Sequence, residues 1–338
     1  MTFSVLAFWL GALLSEGGGV ASKFGNVVKV ECAEVNEVSK VQIAISALPG
    51  LIGVFWIVAS VGIPLFDQKM RFYAPFKATF LAEFLSVPIM LIYSNISQRA
   101  RFKIWEITSI FLLLVLIAVP GYRNFPVMVA LLLLVSSVMT GQLKLTLVRM
   151  LAFGALAGGF FGLVNIYRRS SIEELLSAEA AASAFNTQLP SVLAQLHYNL
   201  REPIGIGQIL TRHIPEGSAP GFIWTDLLSI LPWYSDTAGK IISGLIGSSL
   251  TGGLNMSFPH VLYFEYGANF SYFTMASIGL LIGLIWRNAT EGGNIKHIII
   301  YGYSVVAFVL LFQRGVPKAS IFLVPTFFII MFRYRIKL

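Results

Sequence analysis

Six side chains define the chemistry this chain could perform. Arg123 stands in the tight turn Gly121-Tyr122-Arg123-Asn124, Arg168 and Arg169 follow the apolar run that ends near Tyr167, and Arg314 lies in Gln313-Arg314-Gly315-Val316-Pro317-Lys318. A guanidinium is planar, always charged and forked, so it binds phosphate oxygens in pairs. Each arginine taken singly also reads as an interface anchor, its stem lying along apolar surface. His260 and Glu265 fall in Ser257-Phe258-Pro259-His260-Val261-Leu262-Tyr263-Phe264-Glu265-Tyr266. Either could accept or donate a proton. Equally, His260 reads as a hydrogen-bonded structural residue, and Glu265 as a helix cap or the partner of an arginine.

Weaker candidates surround these six. Glu83 lies inside an apolar run, so it must face protein or water; it suits a proton pathway or a bond between helices. Gly205-Ile206-Gly207 is not a dinucleotide fingerprint, because no strand–helix–strand pattern surrounds it. Trp224, Trp233 and Tyr234 could stack on sugar rings or serve as belt aromatics. Cys32 is the single cysteine, which leaves no internal disulfide and no cysteine-based zinc cluster. The four histidines at 197, 213, 260 and 297 form no ligand pair of metal-binding spacing, so neither a metal nor another cofactor is expected.

The elements that must position these residues are membrane helices. Of the 338 residues 56% are hydrophobic and only 12% charged, about half the usual charged share. Mean hydropathy is +0.77. The apolar runs are continuous rather than alternating, which excludes an outer-membrane barrel as well as soluble and disordered classes. The net charge of +8 sits mostly beside apolar runs, the pattern of a membrane anchor rather than of a nucleic-acid surface. The fold class expected is an all-α polytopic membrane protein with about nine transmembrane helices in a single membrane domain, 1–338. The spans read Phe3–Leu14, Ile43–Ile63, Ala78–Ser94, Ile107–Pro120, Phe125–Gly141, Leu145–Tyr167, Ala268–Trp286, Ile298–Phe312 and Ala319–Phe332. The first is the weakest: too short for a comfortable span, it reads also as an interfacial helix or the remnant of a longer N-terminus.

Orientation follows from lysine and arginine in the short loops. The two front loops tie, with Lys23, Lys29 and Lys40 against Lys69, Arg71 and Lys77, and decide nothing. Beyond them one alternating set carries ten (Arg99, Arg101, Lys103, Lys144, Arg149, Arg287, Lys296, Arg333, Arg335, Lys337), and the other carries three (Arg123, Arg314, Lys318). The first set is expected in the cytoplasm together with the C-terminus. Residues 168–267 then form one long outer loop between the sixth and seventh spans, with five cations against eight acids. Ser170 and Glu173 make a capping-box pattern, Pro190 could open a second helix, and Asp226 could cap a third. Such amphipathic helices would lie across the outer mouth of the bundle. Arg123, Arg168, Arg169 and Arg314 all fall on that outer face, which points to a site for an anionic ligand.

In this order of features the sequence resembles the Wzy-type O-antigen or oligosaccharide repeat-unit polymerases and, more distantly, the O-antigen ligases. The resemblance rests on Gly121-Tyr122-Arg123, then Tyr167-Arg168-Arg169, then a long outer loop ending in Gly252-Gly253-Leu254-Asn255-Met256-Ser257-Phe258-Pro259, Glu265 and Ala268-Asn269-Phe270, with Arg314-Gly315 between the last two spans. It covers roughly residues 105–332, and the opening third adds little to it. Members of that family commonly have more spans before the first arginine, so the chain reads as short at its N-terminus. The resemblance implies a membrane glycosyltransferase of the C-type fold in a bacterial inner membrane. It would act, with inversion and without metal, on undecaprenyl-diphosphate-linked oligosaccharide at the periplasmic face, in lipopolysaccharide biosynthesis. Arg123, Arg168, Arg169 and Arg314 would bind the diphosphate, and His260 or Glu265 would handle the acceptor's proton. Membrane lipids and a chain-length regulator protein are the other partners it implies. A ligase acting on lipid A–core and, in another class, a lipid-linked oligosaccharide transporter are the competing readings. The transporter expects internal repeats and midplane charge, whereas the charges here crowd one face.

Overall fold

A computed structural model describes residues 2–15, 37–66, 70, 73–99, 103–122, 124–143, 204–211, 214–219, 221–228, 238–246, 256–291, 294–314 and 318–333. Among these residues every regular element is helical. The helices are α1 (Thr2–Ser15), α2 (Lys40–Val61), α3 (Phe76–Arg99), α4 (Ile104–Ala118), α5 (Asn124–Met139), α6 (Phe222–Leu228), α7 (Ala238–Ile246), α8 (Phe258–Tyr266), α9 (Ala268–Glu291), α10 (Ile295–Arg314) and α11 (Ser320–Arg333). Four are long and apolar enough to cross a membrane: α2, α3, α9 and the stretch Ile295–Phe312 of α10. Four more, α1, α4, α5 and α11, are apolar but shorter. The expected sixth span, Leu145–Tyr167, lies outside the described residues, as do Ser170, Glu173 and Pro190.

Local chemistry explains where the helices begin. Ser39 caps α2: its Oγ accepts the Gln42 N–H at 3.2 Å, and the Gln42 side chain returns the bond to the Ser39 N–H. A cap of this kind contributes about 1 kcal/mol. Helix α3 changes character at Glu83–Leu85, a turn of 3-10 helix between Phe76–Ala82 and Ser86–Arg99. Such turns inside a helix mark strained or functional positions.

The bundle has two distinct ends. At one, Asn95 is buried and clamps the Val38 backbone, accepting its N–H at 2.7 Å and donating to its carbonyl at 2.9 Å. Arg99 there lies between Glu37 and Glu106 and reaches the buried Glu106 carboxylate at 3.0 Å. Gln42 donates to the Met331 carbonyl at 2.6 Å, tying α11 to this end. At the opposite end the Leu65 N–H bonds the Val119 carbonyl at 3.2 Å, Gly121 abuts Pro64, and Lys318 stands 5.1 Å over the Phe76 ring. The turn after α4, the connection before α11 and the start of α3 therefore share one end.

Helix α1 runs parallel to α9, its Phe3 ring 6.2 Å from Tyr272 and its Ser15 beside Gly283. Contact is close because the facing residues are small. A Cβ at Gly279 would stand 2.0 Å from the Phe8 carbonyl oxygen, and one at Gly11 would stand 1.9 Å from that of Ala276. Small residues four apart on both helices let the backbones approach, as in membrane helix pairs generally. The weakest apolar run in the sequence is thus packed lengthwise against one of the strongest.

The described parts of the 168–267 segment have a small core of their own, built from Ile206, Leu210, Phe222, Ala238, Ile242, Met256, Val261 and Phe264. Asp226 lies inside α6, not at its start, so it does not cap that helix. Helix α8 joins this core to the bundle, since Phe258 and Leu262 pack on Met275 of α9 and Leu311 of α10.

Candidate functional site

The two connections that carry Arg123 and Arg314 lie at the same end of the bundle. Gly121 has φ +72°, and a Cβ there would meet the Pro64 carbonyl oxygen at 2.9 Å, so glycine is required both by backbone and by space. The chain turns there and re-enters as α5 at Asn124, with Arg123 between Tyr122 and Asn124. Arg123 itself, with Arg168 and Arg169, lies outside the described residues. Arg314 is the last residue of α10, one turn beyond the Leu311 that supports α8.

His260 is held on two sides. Ser257 precedes α8 and is wholly buried; its Oγ is 2.6 Å from His260 Nδ1. A Cβ on Gly207 would come within 2.4 Å of the imidazole ring, so the helical stretch 204–210 rests its backbone directly on the ring. The side chain is 9% exposed. Burial disfavours the charged imidazolium and pulls the His260 pKa down to about 4, so the ring is neutral at pH 7.

Glu265 is on the same helix but about 140° round it from His260, so the two side chains do not converge. The Glu265 carboxylate accepts the Ile223 N–H at 2.7 Å and also bonds Phe222, which caps α6 from outside. Burial raises its pKa above the ordinary carboxylate value, and these backbone bonds partly offset the rise. The reciprocal contact is made by Glu216, whose Oε1 accepts the Ala268 N–H at 2.5 Å at the start of α9. Each of two neighbouring segments thus places a carboxylate at the positive end of a helix rooted in the other. Backbone bonds from Gly217 to Tyr263 (3.3 Å) and from Ala219 to Phe264 (2.9 Å) hold the segments side by side.

Beneath this end of the bundle is a narrow, mostly apolar cavity. Its wall includes Ile117 of α4, Phe125 of α5, Leu310 of α10 and Ile321 of α11. Glu83 lines it, 9% exposed, and its carboxylate accepts no hydrogen bond among the described residues. Ser86 donates to the Glu83 carbonyl at 2.9 Å and is 3.3 Å from the Tyr303 hydroxyl, so these hydroxyls are already engaged. Among the described residues no three His, Cys, Asp or Glu side chains gather closely enough to hold a metal ion.

Comparison with known proteins adds the decisive observation. Residues 1–181 match a family model described as "Putative O-antigen polymerase". The chain belongs to the O-antigen polymerase family. No curated protein and no solved structure matches it. The matched region takes in Arg123, Arg168 and Arg169 and stops short of His260, Glu265 and Arg314. It also starts at residue 1, whereas the resemblance read from the motifs began near residue 105. The apolar N-terminal helices are therefore part of what this polymerase family has in common. Family and helices together make this a membrane protein of O-antigen assembly with a glycosyltransferase-like activity.

Ser257, Gly207 and Glu216 join the site unforeseen, and only the first has a local signal in the sequence. A serine opening a helix with proline two residues on cannot give its hydroxyl to the missing N–H, so it is available to a side chain. The contacts of Gly207 and Glu216 span about fifty residues and have no local signature.

Proposed function

We propose that the protein is a polysaccharide polymerase of the bacterial inner membrane. It transfers a glycan chain from polyprenyl diphosphate to an incoming lipid-linked repeat unit on the periplasmic side. The observation that carries this reading is the shared end. The turn holding Arg123, the end of α10 at Arg314 and the helix bearing His260 and Glu265 all lie there. With the charge bias of the short loops, that end is periplasmic and the C-terminus cytoplasmic.

The acceptor hydroxyl oxygen attacks the anomeric carbon from the face opposite the diphosphate. The carbon–oxygen bond to the diphosphate breaks, its electron pair stays on the leaving oxygen, and configuration inverts. Charge grows on that oxygen, and Arg123, Arg168, Arg169 and Arg314 hold it. Preorganised cations contribute several kcal/mol to such a step. The acceptor's proton passes to a base, with Glu265 and His260 as the groups available on α8. A carboxylate whose pKa is raised by burial is better matched to that task than an ordinary one.

Reconstitution in vesicles with polyprenyl-diphosphate-linked repeat units tests the reading. A ladder of glycan lengths on a gel is the expected result. Transfer confined to lipid A–core would make the protein a ligase, and movement of the lipid without bond formation would make it a transporter.

A further inference from the structure

The Ser257–His260 contact bears on which of the two α8 groups is the base, and it rests on the polymerase reading above. Ser257 is the residue before α8, where a serine hydroxyl ordinarily accepts a helix N–H. Here it accepts none, because the position two residues on is Pro259, and the His260 N–H is bonded to the Ser257 carbonyl at 2.9 Å. The hydroxyl is wholly out of solvent and its one partner among the described residues is His260 Nδ1, 2.6 Å away. If Nδ1 carried the proton and donated to Oγ, the hydroxyl hydrogen would be left without an acceptor. Buried hydroxyls in folded proteins are satisfied. The hydrogen therefore points at Nδ1, which must be the bare nitrogen, and the neutral ring carries its proton on Nε2.

We propose that Ser257 is a positioning residue that fixes the Nε2–H tautomer of His260, so that His260 serves the transfer as a hydrogen-bond donor to an anionic phosphate oxygen rather than as the base. Nε2 makes no hydrogen bond among the described residues and is free to donate. The neutral state at pH 7 follows from the same burial. Gly207 supports the arrangement by closing one face of the ring, so the imidazole cannot turn over without displacing backbone. The base role then falls to Glu265, the other titratable group of α8. The donor nitrogen keeps its proton throughout. The proton lost by the acceptor hydroxyl goes to the Glu265 carboxylate.

Glutamine separates the two roles, because its amide can donate where Nε2–H donates but cannot take up a proton at neutral pH. In the vesicle ladder assay with polyprenyl-diphosphate-linked repeat units, His260→Ala is expected to lower turnover by on the order of 100-fold. His260→Gln is expected to recover to within about tenfold of the parent. Turnover equally low in both variants, or undiminished in His260→Ala, overturns the donor role. The 15N spectrum of histidine-labelled full-length protein reads the tautomer without any variant in the active enzyme. The His260 signals are those absent from His260→Gln. A protonated Nε2 and bare Nδ1 are expected, with the bias lost in Ser257→Ala; the opposite tautomer in the parent sinks the proposal. Failure of the polymerase reading looks different: the parent protein itself would then form no ladder, whatever stands at position 260.

Discussion

Gly207 lies against the imidazole of His260 so closely that a Cβ would stand 2.4 Å from Cγ and 2.5 Å from Nδ1. Two glycines separated by one residue therefore differ sharply in what they tolerate, since nothing lies within 4 Å of a Cβ at Gly205. Gly207→Ala is expected to destabilise the protein by about 1–3 kcal/mol, the usual cost of overpacking. Gly205→Ala should be neutral or stabilising by up to about 1 kcal/mol, because alanine is the better helix former. Thermal midpoints of the two purified variants decide it, and equal midpoints would contradict the contact.

Arg123→Ala and Arg168→Ala are each expected to abolish long-chain polysaccharide while protein level in the membrane holds. Glycan length on a gel, normalised to the amount of protein, is the measurement. Unchanged chain length in both variants would remove the diphosphate clamp from the mechanism. Lysine at either position keeps the charge but loses the fork, so Arg123→Lys should recover part of the activity.

The buried, neutral His260 makes stability depend on pH. Its pKa falls from the ordinary 6.5 to about 4 on folding. Between these values the unfolded chain binds the proton and the folded chain does not. The contribution is thus fully present above pH 6.5 and is lost as pH falls toward 4. The thermal midpoint is expected to drop through that window, less steeply in His260→Gln. Identical slopes in the two proteins would mean that the ring is not buried as described.

Glu216 and Glu265 cap helices in each other's segments, but only Glu265 is assigned to the chemistry. Glu216→Ala should cost about 1 kcal/mol as a lost cap and leave a lower amount of an enzyme whose turnover is little changed. Glu265→Gln keeps an oxygen for the Ile223 N–H and loses the base. It should fold with nearly the parent midpoint and lose on the order of 100-fold or more in turnover. If Glu265→Gln polymerises normally, the carboxylate is a cap alone.

The seam between α1 and α9 should be intolerant of bulk. At Gly283 a Cβ would fall 1.8 Å from Ser15 Oγ, and at Gly279 it would fall 2.0 Å from the Phe8 carbonyl. Gly279→Leu is expected to lower the thermal midpoint and open α1 to protease. Leu281→Ala, at an exposed position on the same helix, should do neither. Equal protease resistance in both would show that α1 does not depend on that seam.

Much of the fold was legible in the sequence because the bilayer imposes it. Continuous apolar runs must close their backbone hydrogen bonds internally, so the helices at 40–61, 76–99 and 268–314 follow from composition. The span read from Ile43 begins three residues earlier, at Lys40, where Ser39 and Gln42 form a capping box. The cap expected at Asp226 is not where the helix begins: α6 starts at Phe222, and Glu265, 42 residues away, takes the capping position, which no local pattern can signal. The tertiary structure alone decided that Glu83 faces an apolar cavity, that Gly207 closes on His260, and that His260 and Glu265 occupy different faces of one short helix. Those outcomes depend on contacts between segments far apart in the chain. A sequence records the period of a helix; only packing fixes which face meets which neighbour.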